Sequence, residues 1–427
     1  MSENRRRNRG LRLLAGSIIL SWGALATVQI SRPQAAPVVL AVMAVLFAAL
    51  YLGIHIYLRF AAPHTDPIIL PLICLLTGLG LSMIYRLDLD LAVRQFAWIV
   101  VGSAVLVLLV TLWRNYRSLA NYKYLIGLAG LVLLFSTIRL GSGFLQPNLW
   151  LNIGPFSFQP SEIAKILIVI FFAAYLSEKR ELLSVFTRKV GQFSVPDVKH
   201  LGPLLMFWVI SLGLLVIQKD IGASLLFFGL FLVMLYVATG RGLYVGIGSL
   251  LFISGATVIA KVFSYVGARI SVWINPWPYA TGKGYQIVQS LFALGSGGVW
   301  GTGLGRGYPN LIPIVTTDFI FSAFGEEMGL VGMFAIIALY MVFVGRGLTI
   351  AIKTSDEFGK LLATGLTAVF AIQTIVIIGG VTKLLPLTGI TLPFLSYGGS
   401  SILANFILAG LLIIISNQSI EEASRIG

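Results

Sequence analysis

Apolar stretches long enough to cross a lipid bilayer occupy most of this chain, and they constrain its fold more than any other feature. A helix that crosses the hydrocarbon core of a bilayer needs about 20 mainly apolar residues. The 427 residues are 57% hydrophobic and 11% charged, which is typical of integral membrane proteins and not of soluble domains. We therefore expect an all-α polytopic membrane protein with about twelve transmembrane helices. They are predicted near residues 13–30, 37–58, 68–85, 96–113, 124–138, 163–176, 204–217, 223–238, 243–262, 319–344, 361–381 and 402–416.

The positions of lysine and arginine predict how these helices are oriented. With the N-terminus in the cytoplasm, the inside loops hold roughly nineteen basic residues and the outside loops roughly ten, which agrees with the positive-inside rule. Both termini are therefore expected in the cytoplasm, and the first apolar stretch is expected to be an uncleaved span. The net charge of +14 lies in short loops beside apolar stretches, so it indicates contact with membrane lipid and no nucleic-acid partner.

The longest interruption of the apolar pattern covers residues 273–318, between the stretches near 243–262 and 319–344. It is rich in Gly, Pro and aromatic residues and contains WINPWPYATGKGYQIVQS followed by LFALGSGGVWGTGLGRG. Irregular backbone at a membrane surface must find partners in protein or in a water-filled cavity, and long loops of this kind are usually functional. We expect a large extracellular loop, residues 263–318, that folds over a cavity mouth with short helices against the membrane surface.

Ionisable residues at the ends of apolar stretches are candidate cavity-lining groups, because charges inside a membrane are costly. In FQPSEIAK, Glu162 and Lys165 are three residues apart and share one helix face, where they either line a cavity or form a local ion pair. In QKDIGAS, Asp220 lies between two spans and could be an N-cap, a functional carboxylate, or both.

Two segments nearer the C-terminus carry further candidate groups. In TTDFIFSAFGEEMGLVG, Asp318 opens a helix and Glu326 and Glu327 follow on different faces, so at most one of the two glutamates lines a given cavity. Both could instead pair with basic side chains of other helices. In KLLPLTGITLPFLSYGGSS, prolines and Gly-Gly predict a broken, re-entrant segment, with a plain outer turn as the alternative.

The sequence predicts no metal-ligating residues. Its one cysteine, Cys74, lies inside an apolar stretch, which excludes an intrachain disulfide and a cysteine-based metal site. The three histidines are scattered near the ends of apolar stretches and are interpreted as loop or interface residues.

The segment LPFLSYGGSS (residues 392–401) resembles the signature of the SEDS family, the FtsW/RodA/SpoVE-type proteins of shape, elongation, division and sporulation. FQPSEIAK, QKDIGAS, GKGYQIVQS, GSGGVWGTGLG and TTDFIFSAFGEEMGLVG occur in the family's order, and the resemblance covers residues 150–416. Family members commonly have about ten spans. The resemblance therefore implies a family core over residues 122–427 and an N-terminal part, residues 1–121, that includes two additional spans.

The resemblance implies a peptidoglycan glycosyltransferase that polymerises lipid II on the outer face of the bacterial cytoplasmic membrane, together with a class B penicillin-binding protein. In that reaction the C4 hydroxyl of one disaccharide attacks the anomeric carbon of another and releases undecaprenyl pyrophosphate. A base must take the hydroxyl proton, and Lys, Arg or a divalent cation such as Mg or Mn must neutralise the leaving group. The residues that the resemblance indicates for substrate binding are Lys165, Gln286, Gln289, Ser290, Asp318, Ser396, Tyr397, Gly398, Gly399 and Ser400.

The chain departs from the family at the residue that the resemblance implies is the catalytic base. The family's loop usually reads Asn/Asp-Pro-x-x-Asp-Pro-x-Gly-x-Gly-Tyr-Gln, whereas this chain reads NPWPYATGKGYQ with the same spacing. Tyr279 therefore occupies the position of the loop aspartate, and a phenol, which titrates near 10, is a poor base at neutral pH. No aspartate or glutamate lies between residues 273 and 317.

Three interpretations of this departure remain open at the level of sequence. Asp220 or Glu162 could supply the base, which would make the chain an active glycosyltransferase. The chain could instead be a catalytically inactive relative that acts as a scaffold or binds lipid-linked precursor. A lipid flippase or transporter is a third possibility, since many spans with Gly/Pro-broken helices suit one.

Overall fold

The computed structural model describes residues 3–31, 37–113, 115–140, 149–153, 156–184, 188–190, 193–195 and 198–426. Within these ranges the chain is mainly helical, and eleven helices are long and apolar enough to cross a membrane. A shorter apolar helix, Gly202–Ile217, coincides with the predicted stretch at 204–217. The all-α polytopic fold expected from hydropathy is confirmed.

The α-helices of the described residues are α1 (Glu3–Ser31), α2 (Pro37–Ala61), α3 (Ile69–Leu87), α4 (Leu89–Leu112), α5 (Lys123–Leu140), α6 (Pro160–Ser184), α7 (Val198–Ile217), α8 (Ile221–Thr239), α9 (Gly242–Val262), α10 (Ser264–Ile274), α11 (Tyr285–Gly297), α12 (Ile320–Lys353), α13 (Glu357–Val381) and α14 (Gly399–Ile426).

Two short antiparallel hairpins join some of these helices. In the first, β1 (Leu151–Ile153) pairs with β2 (Phe156–Phe158) just before α6. In the second, β3 (Arg188–Val190) pairs with β4 (Phe193–Val195) between α6 and α7.

The chain forms two compact units. The first comprises Met1–Arg114, Ala268–Arg346 and Gln373–Gly427, and the second comprises Asn115–Gly267 and Gly347–Ile372. The division predicted from the sequence, after residue 121, concerns family boundaries and stays a prediction.

In the first unit α3 is the central helix, packed against α1 and α4, and α14 packs against α4. Small residues allow this close packing. A Cβ on Gly78 would collide with Ser21 of α1, and one on Gly80 would collide with the backbone of Leu395. By contrast α2 leaves most of its apolar surface exposed, as expected of a helix that faces lipid.

In the second unit α6 is the central helix, packed against α5 and α8, and α7 and α9 pack against α8. Phe171 and Phe172 of α6 contact aromatic rings on α7 and α8, with Phe171 and Phe207 centroids 4.2 Å apart and Phe172 and Phe231 centroids 5.8 Å apart. These aromatic contacts fill the interior of the unit and fix the face that α6 turns inward.

The loop of residues 263–318, called the long loop below, contains the short helices expected from its sequence. They are α10, α11 and two 3₁₀ turns, Trp277–Tyr279 and Pro309–Leu311. The helix that follows the long loop, α12, is interrupted at Gly329, whose φ of 64° and ψ of −165° no helix contains.

Candidate functional site

The start of the long loop is bound to the segment that follows α13. The guanidinium of Arg269 donates to the carbonyl oxygens of Leu387 and Thr388, at 3.1 and 3.2 Å. The indole N–H of Trp273 donates to the carbonyl oxygen of Lys383 at 3.1 Å. Because these donors reach backbone carbonyls of a non-helical segment, the loop and that segment stabilise each other's irregular conformation.

Helix α11 binds the same region through a buried serine. The hydroxyl of Ser290 lies 2.9 Å from the carbonyl oxygen of Val381 and 2.7 Å from the hydroxyl of Ser322 in α12. Gln286 and Gln289, two other residues expected to bind substrate, are on the same helix and are half-buried. Of these three, Ser290 is committed to the protein interior, whereas the two glutamines keep part of their surface accessible.

Tyr279 ends the 3₁₀ turn Trp277–Tyr279, and its side chain is 42% exposed. The turn is tight, because a Cβ on Gly284 would lie 2.9 Å from the carbonyl oxygen of Pro276 and 3.0 Å from that of Tyr279. The two glycines of the GKG sequence thus belong to a compact loop that presents position 279 at its surface.

Residues 382–398 form a non-helical segment in which Ser396 is buried. Gln95 of α4 donates to the Ser396 carbonyl at 3.1 Å and accepts from the Gly398 N–H at 3.2 Å. The Tyr397 N–H donates to the Thr316 carbonyl at 2.8 Å. The segment is much more elaborate than an outer turn, and these three backbone groups are satisfied by protein.

The remaining candidates of this segment also have close protein neighbours. A Cβ on Gly399 would collide with the indole ring of Trp98, so only glycine fits at this position. Ser400 is buried, whereas Tyr397 is half-buried. The conformation of the LPFLSYGGSS signature is therefore held by contacts within the first unit.

Asp318 lies just before α12 and is half-buried. Its Oδ2 is 3.4 Å from the point where a Cβ on Gly389 would lie, which places the carboxylate against the same segment that the long loop contacts. Burial raises the pKa of Asp318 above its ordinary value, while a hydrogen bond from Thr317 and the charge of Arg269 act in the opposite direction.

The carboxylates of Glu326 and Glu327 accept hydrogen bonds from the glycine-rich part of the long loop, so they face this loop and not an open cavity. Glu327 pairs with Arg86 of α3 at 2.7 Å and also accepts the Gly305 N–H at 2.8 Å. Glu326 accepts the Tyr308 N–H at 2.7 Å. The alternative in which these glutamates pair with basic side chains of other helices is therefore confirmed for Glu327, whose partner is Arg86 of α3. Glu326 instead accepts a backbone N–H.

In the second unit Glu162 and Lys165 form a buried ion pair at the start of α6. The Lys165 Nζ lies 2.6 Å from the Glu162 Oε2, and the two residues are 1% and 8% exposed. A buried lysine requires a counter-charge, and Glu162, one turn away on the same helix face, supplies it.

Asp220 is the N-cap of α8 in the same unit and is 5% exposed. Its Oδ1 accepts the Ala223 N–H at 2.8 Å, which satisfies one of the backbone donors that a helix start leaves open. The capping role anticipated from the sequence is present, and it fixes the orientation of the carboxylate.

The structure assigns the predicted site residues to two groups, each within one unit. Glu162, Lys165 and Asp220 belong to the second unit, and all the others belong to the first. Arg86, Gln95 and Arg269 were not anticipated. Arg86 and Gln95 are buried polar residues that directly adjoin the predicted stretches 68–85 and 96–113, so the cost of such groups in a membrane was the signal that could have revealed them.

A bound divalent cation is another source of positive charge that could neutralise the leaving pyrophosphate of the expected reaction. Within the ranges that the structure describes, no three His, Cys, Asp or Glu side chains cluster as ligands of a metal ion would. The described residues thus do not form a metal site from protein ligands alone.

Comparison with known proteins identifies the family. Residues 66–421 match the FtsW/RodA/SpoVE family, described as cell cycle proteins. The chain is 45% identical over 425 residues to the peptidoglycan glycosyltransferase RodA of Mycobacterium tuberculosis, which covers 96% of this chain and 91% of that protein.

Two solved structures have the same fold. RodA of Thermus thermophilus matches with a TM-score of 0.59 and 25% identity, over 82% of this chain and 96% of that one. A chain from a peptidoglycan synthase complex that coordinates polymerization and crosslinking matches with a TM-score of 0.68 and 24% identity, over 83% and 98%. With its motifs, its helices and these matches in agreement, the chain belongs to the FtsW/RodA/SpoVE family.

Proposed function

We propose that this protein is a peptidoglycan glycosyltransferase that polymerises lipid II into glycan strands on the outer face of the cytoplasmic membrane. The observation that carries this proposal is the 45% identity, over 96% of the chain, to a protein named as a RodA peptidoglycan glycosyltransferase. The aligned region therefore covers the long loop and the re-entrant segment as well as the membrane helices.

The reaction needs a base that takes the proton of the attacking C4 hydroxyl. With a phenol at position 279, where the resemblance implies an aspartate, the base is expected to be a carboxylate elsewhere in the chain. Asp220 and Glu162 are the two candidates indicated by the sequence. Asp220 is the better candidate. The carboxylate of Glu162 forms an ion pair with Lys165, whereas the carboxylate of Asp220 is held in a fixed orientation by the Ala223 N–H.

The reaction also needs positive charge for the departing pyrophosphate. Lys165 is a buried basic residue of the second unit, and its ion pair with Glu162 holds its orientation. A pyrophosphate carries more negative charge than one carboxylate, so it would compete with Glu162 for the ammonium group. In the first unit Gln286, Gln289, Tyr397 and Asp318, which the resemblance indicates for substrate binding, keep part of their surface accessible.

A class B penicillin-binding protein is the expected partner, since a glycan polymerase must hand its product to a crosslinking enzyme. One chain of similar fold was solved in a peptidoglycan synthase complex, which supports a partner of this kind. The eleven candidate spans of the described residues make this a multi-pass membrane protein. We place it in the bacterial inner membrane with both termini in the cytoplasm, as the basic loops indicate.

Tyr279 is the one observation that favours a second function, a scaffold or precursor-binding relative without catalysis. The extent of the identity to named glycosyltransferases favours the polymerase instead. Nothing in the described structure specifically favours a flippase or transporter.

The decisive experiment is lipid II polymerisation by the purified protein with its cognate penicillin-binding partner. Wild type, Tyr279→Asp and the matched control Tyr279→Asn should be compared, because only aspartate adds a base. Activity in the wild type would support the proposal. Activity restricted to Tyr279→Asp would indicate a scaffold whose site is otherwise intact, and silence of all three would refute the polymerase.

A further inference from the structure

A small pocket, lined mostly by apolar side chains together with a few polar ones, lies at the end of the first unit that holds the start of α1 and the end of α14. It has a volume of about 50 Å³, and its lining includes Gly10, His55, Arg59, Thr65 and Asp66. The loop between α2 and α3 forms its floor and is tied to the end of α14. There the N–H groups of His64 and Asp66 donate to Asn417 and Ser416 at 2.9 and 3.0 Å.

The pocket carries one uncompensated positive charge. Arg59, in the last turn of α2, donates through Nε to His55 Nε2 at 3.2 Å, which requires His55 to be neutral at that nitrogen. Among the residues that the structure describes, no carboxylate lies within ion-pair distance of Arg59. Asp66, the acid in the pocket, is already neutralised by Arg346 and also accepts the Ile68 N–H at 2.9 Å.

A hydroxyl group in the same pocket also lacks a partner. The Oγ1 of Thr65 is buried and has no hydrogen-bond partner among the described residues. A buried polar group without a partner is unfavourable, so a bound acceptor would be favoured there. Arg59 and Thr65 together provide donors for an oxyanion, and a cavity of this size admits a few water molecules or one phosphate group.

An apolar stripe runs from the pocket along the lipid-facing side of α2. Leu52, Ile56 and Phe60 are spaced by four residues, so they lie above one another on one helix face. All three are exposed, and Phe60, beside Arg59, is 79% exposed. Exposed Arg9 and Arg12 of α1 add positive charge at the same end of the unit, which attracts anionic lipid.

We propose that this pocket binds the phosphate of an anionic phospholipid, whose acyl chains lie along the apolar stripe of α2. The bound lipid would contact α1, α2 and the α2–α3 loop together and so stabilise the N-terminal helices of the first unit. Most of this site precedes residue 66, where the match to the FtsW/RodA/SpoVE family begins. The site is thus a feature of the additional N-terminal helices and does not depend on the proposed glycosyltransferase activity.

The test is lipid retention by the purified full-length protein in detergent, measured by native mass spectrometry during titration with phosphatidylglycerol. Phosphatidylcholine with the same acyl chains is the control lipid, and inorganic phosphate is added as a competitor. Arg59→Gln is expected to weaken phosphatidylglycerol binding about tenfold, as loss of one charge-assisted hydrogen bond implies. Arg94→Gln, which removes an exposed charge at the start of α4, is expected to leave it unchanged.

Thr65→Val keeps the shape of the side chain and provides a second variant, expected to weaken binding less than Arg59→Gln. Selective retention of phosphatidylglycerol that both pocket variants reduce would support the proposal. Equal binding of phosphatidylcholine, or wild-type binding by Arg59→Gln, would overturn it. Displacement of the lipid by millimolar inorganic phosphate would also overturn it, because the ligand would then be a free anion.

Discussion

The guanidinium of Arg86 lies 2.7 Å from the carboxylate of Glu327, and both side chains are almost completely buried. Each partner also holds the glycine-rich part of the long loop, because Arg86 donates to the Gly307 carbonyl at 2.6 Å and Glu327 accepts the Gly305 N–H at 2.8 Å. One ion pair thus joins α3, α12 and the loop that carries the family's glycine-rich motif. Loss of this ion pair is expected to lower the stability of the protein and to have no direct effect on the reaction.

Arg86→Met or Glu327→Gln should lower the free energy of unfolding by about 3–5 kcal/mol, because each leaves a buried charge without its partner. Thermal unfolding in detergent, followed by intrinsic fluorescence, measures this effect. Arg117→Met is the matched control, since its pair with Asp356 is partly exposed and should contribute only about 0–1 kcal/mol. Wild-type stability of both Arg86→Met and Glu327→Gln would contradict the assignment.

Gly329→Ala should destabilise the protein by about 1–3 kcal/mol, because φ at this position is 64° and a Cβ would collide with the backbone of Gly301. Gly345→Ala, in the same helix with no heavy atom within 4 Å of the added Cβ, should be neutral or slightly stabilising. The two variants can be compared by the same unfolding assay. Equal stability would show that the break in α12 does not depend on glycine.

Asp220→Asn should lower lipid II polymerisation by at least about 100-fold if Asp220 is the base, without lowering stability, because asparagine caps a helix as well as aspartate. Asp220→Ala should lose the activity and also about 1 kcal/mol of stability through the missing cap. Glu162→Ala is the companion test of the second candidate. Retained polymerisation in Asp220→Ala and Glu162→Ala would remove both residues from the role of base.

Lys165→Ala should weaken binding of the lipid-linked substrate, because it removes the buried ammonium group proposed to meet the pyrophosphate. Lys165→Arg keeps a positive charge and is the control for charge alone. Binding can be followed by equilibrium titration with lipid II in detergent. Unchanged affinity of Lys165→Ala would exclude the contact with pyrophosphate.

Asp318→Asn should change how stability depends on pH. Since burial raises the pKa of Asp318, the folded state holds the proton more firmly than the unfolded state does. The stability that this provides is present at low pH and is lost as pH rises through the pKa of the folded state. Asp318→Asn should therefore gain stability relative to wild type as pH rises from 4 to 7.

The same variant tests the binding role of Asp318. If Asp318 contacts substrate, as the resemblance implies, its replacement should mainly affect KM, so kcat should stay within a few-fold of wild type. Loss of kcat comparable to that expected for Asp220→Asn would transfer the role of base to Asp318. Parallel pH dependence of stability in wild type and Asp318→Asn would contradict the raised pKa.

Most of the fold could be predicted from sequence, because a membrane helix satisfies its hydrogen bonds locally and its apolar residues are contiguous. The same is true of the capping role of Asp220 and the pairing of Glu162 with Lys165, which depend on neighbours three residues away. That Tyr279 stands where the resemblance implies an aspartate stays a prediction from the spacing of the surrounding motif.

Contacts between distant residues were decided only by the tertiary structure. Arg86 and Glu327 are 241 residues apart in sequence, and Gln95 and Ser396 are 301 apart. No local periodicity encodes such partners, because they depend on which helices pack together and at what depth. The sequence by itself determined the helices and the motifs. Packing decided that Glu326 and Glu327 hold the long loop and that burial raises the pKa of Asp318, because a side chain's environment is created by residues remote in the chain.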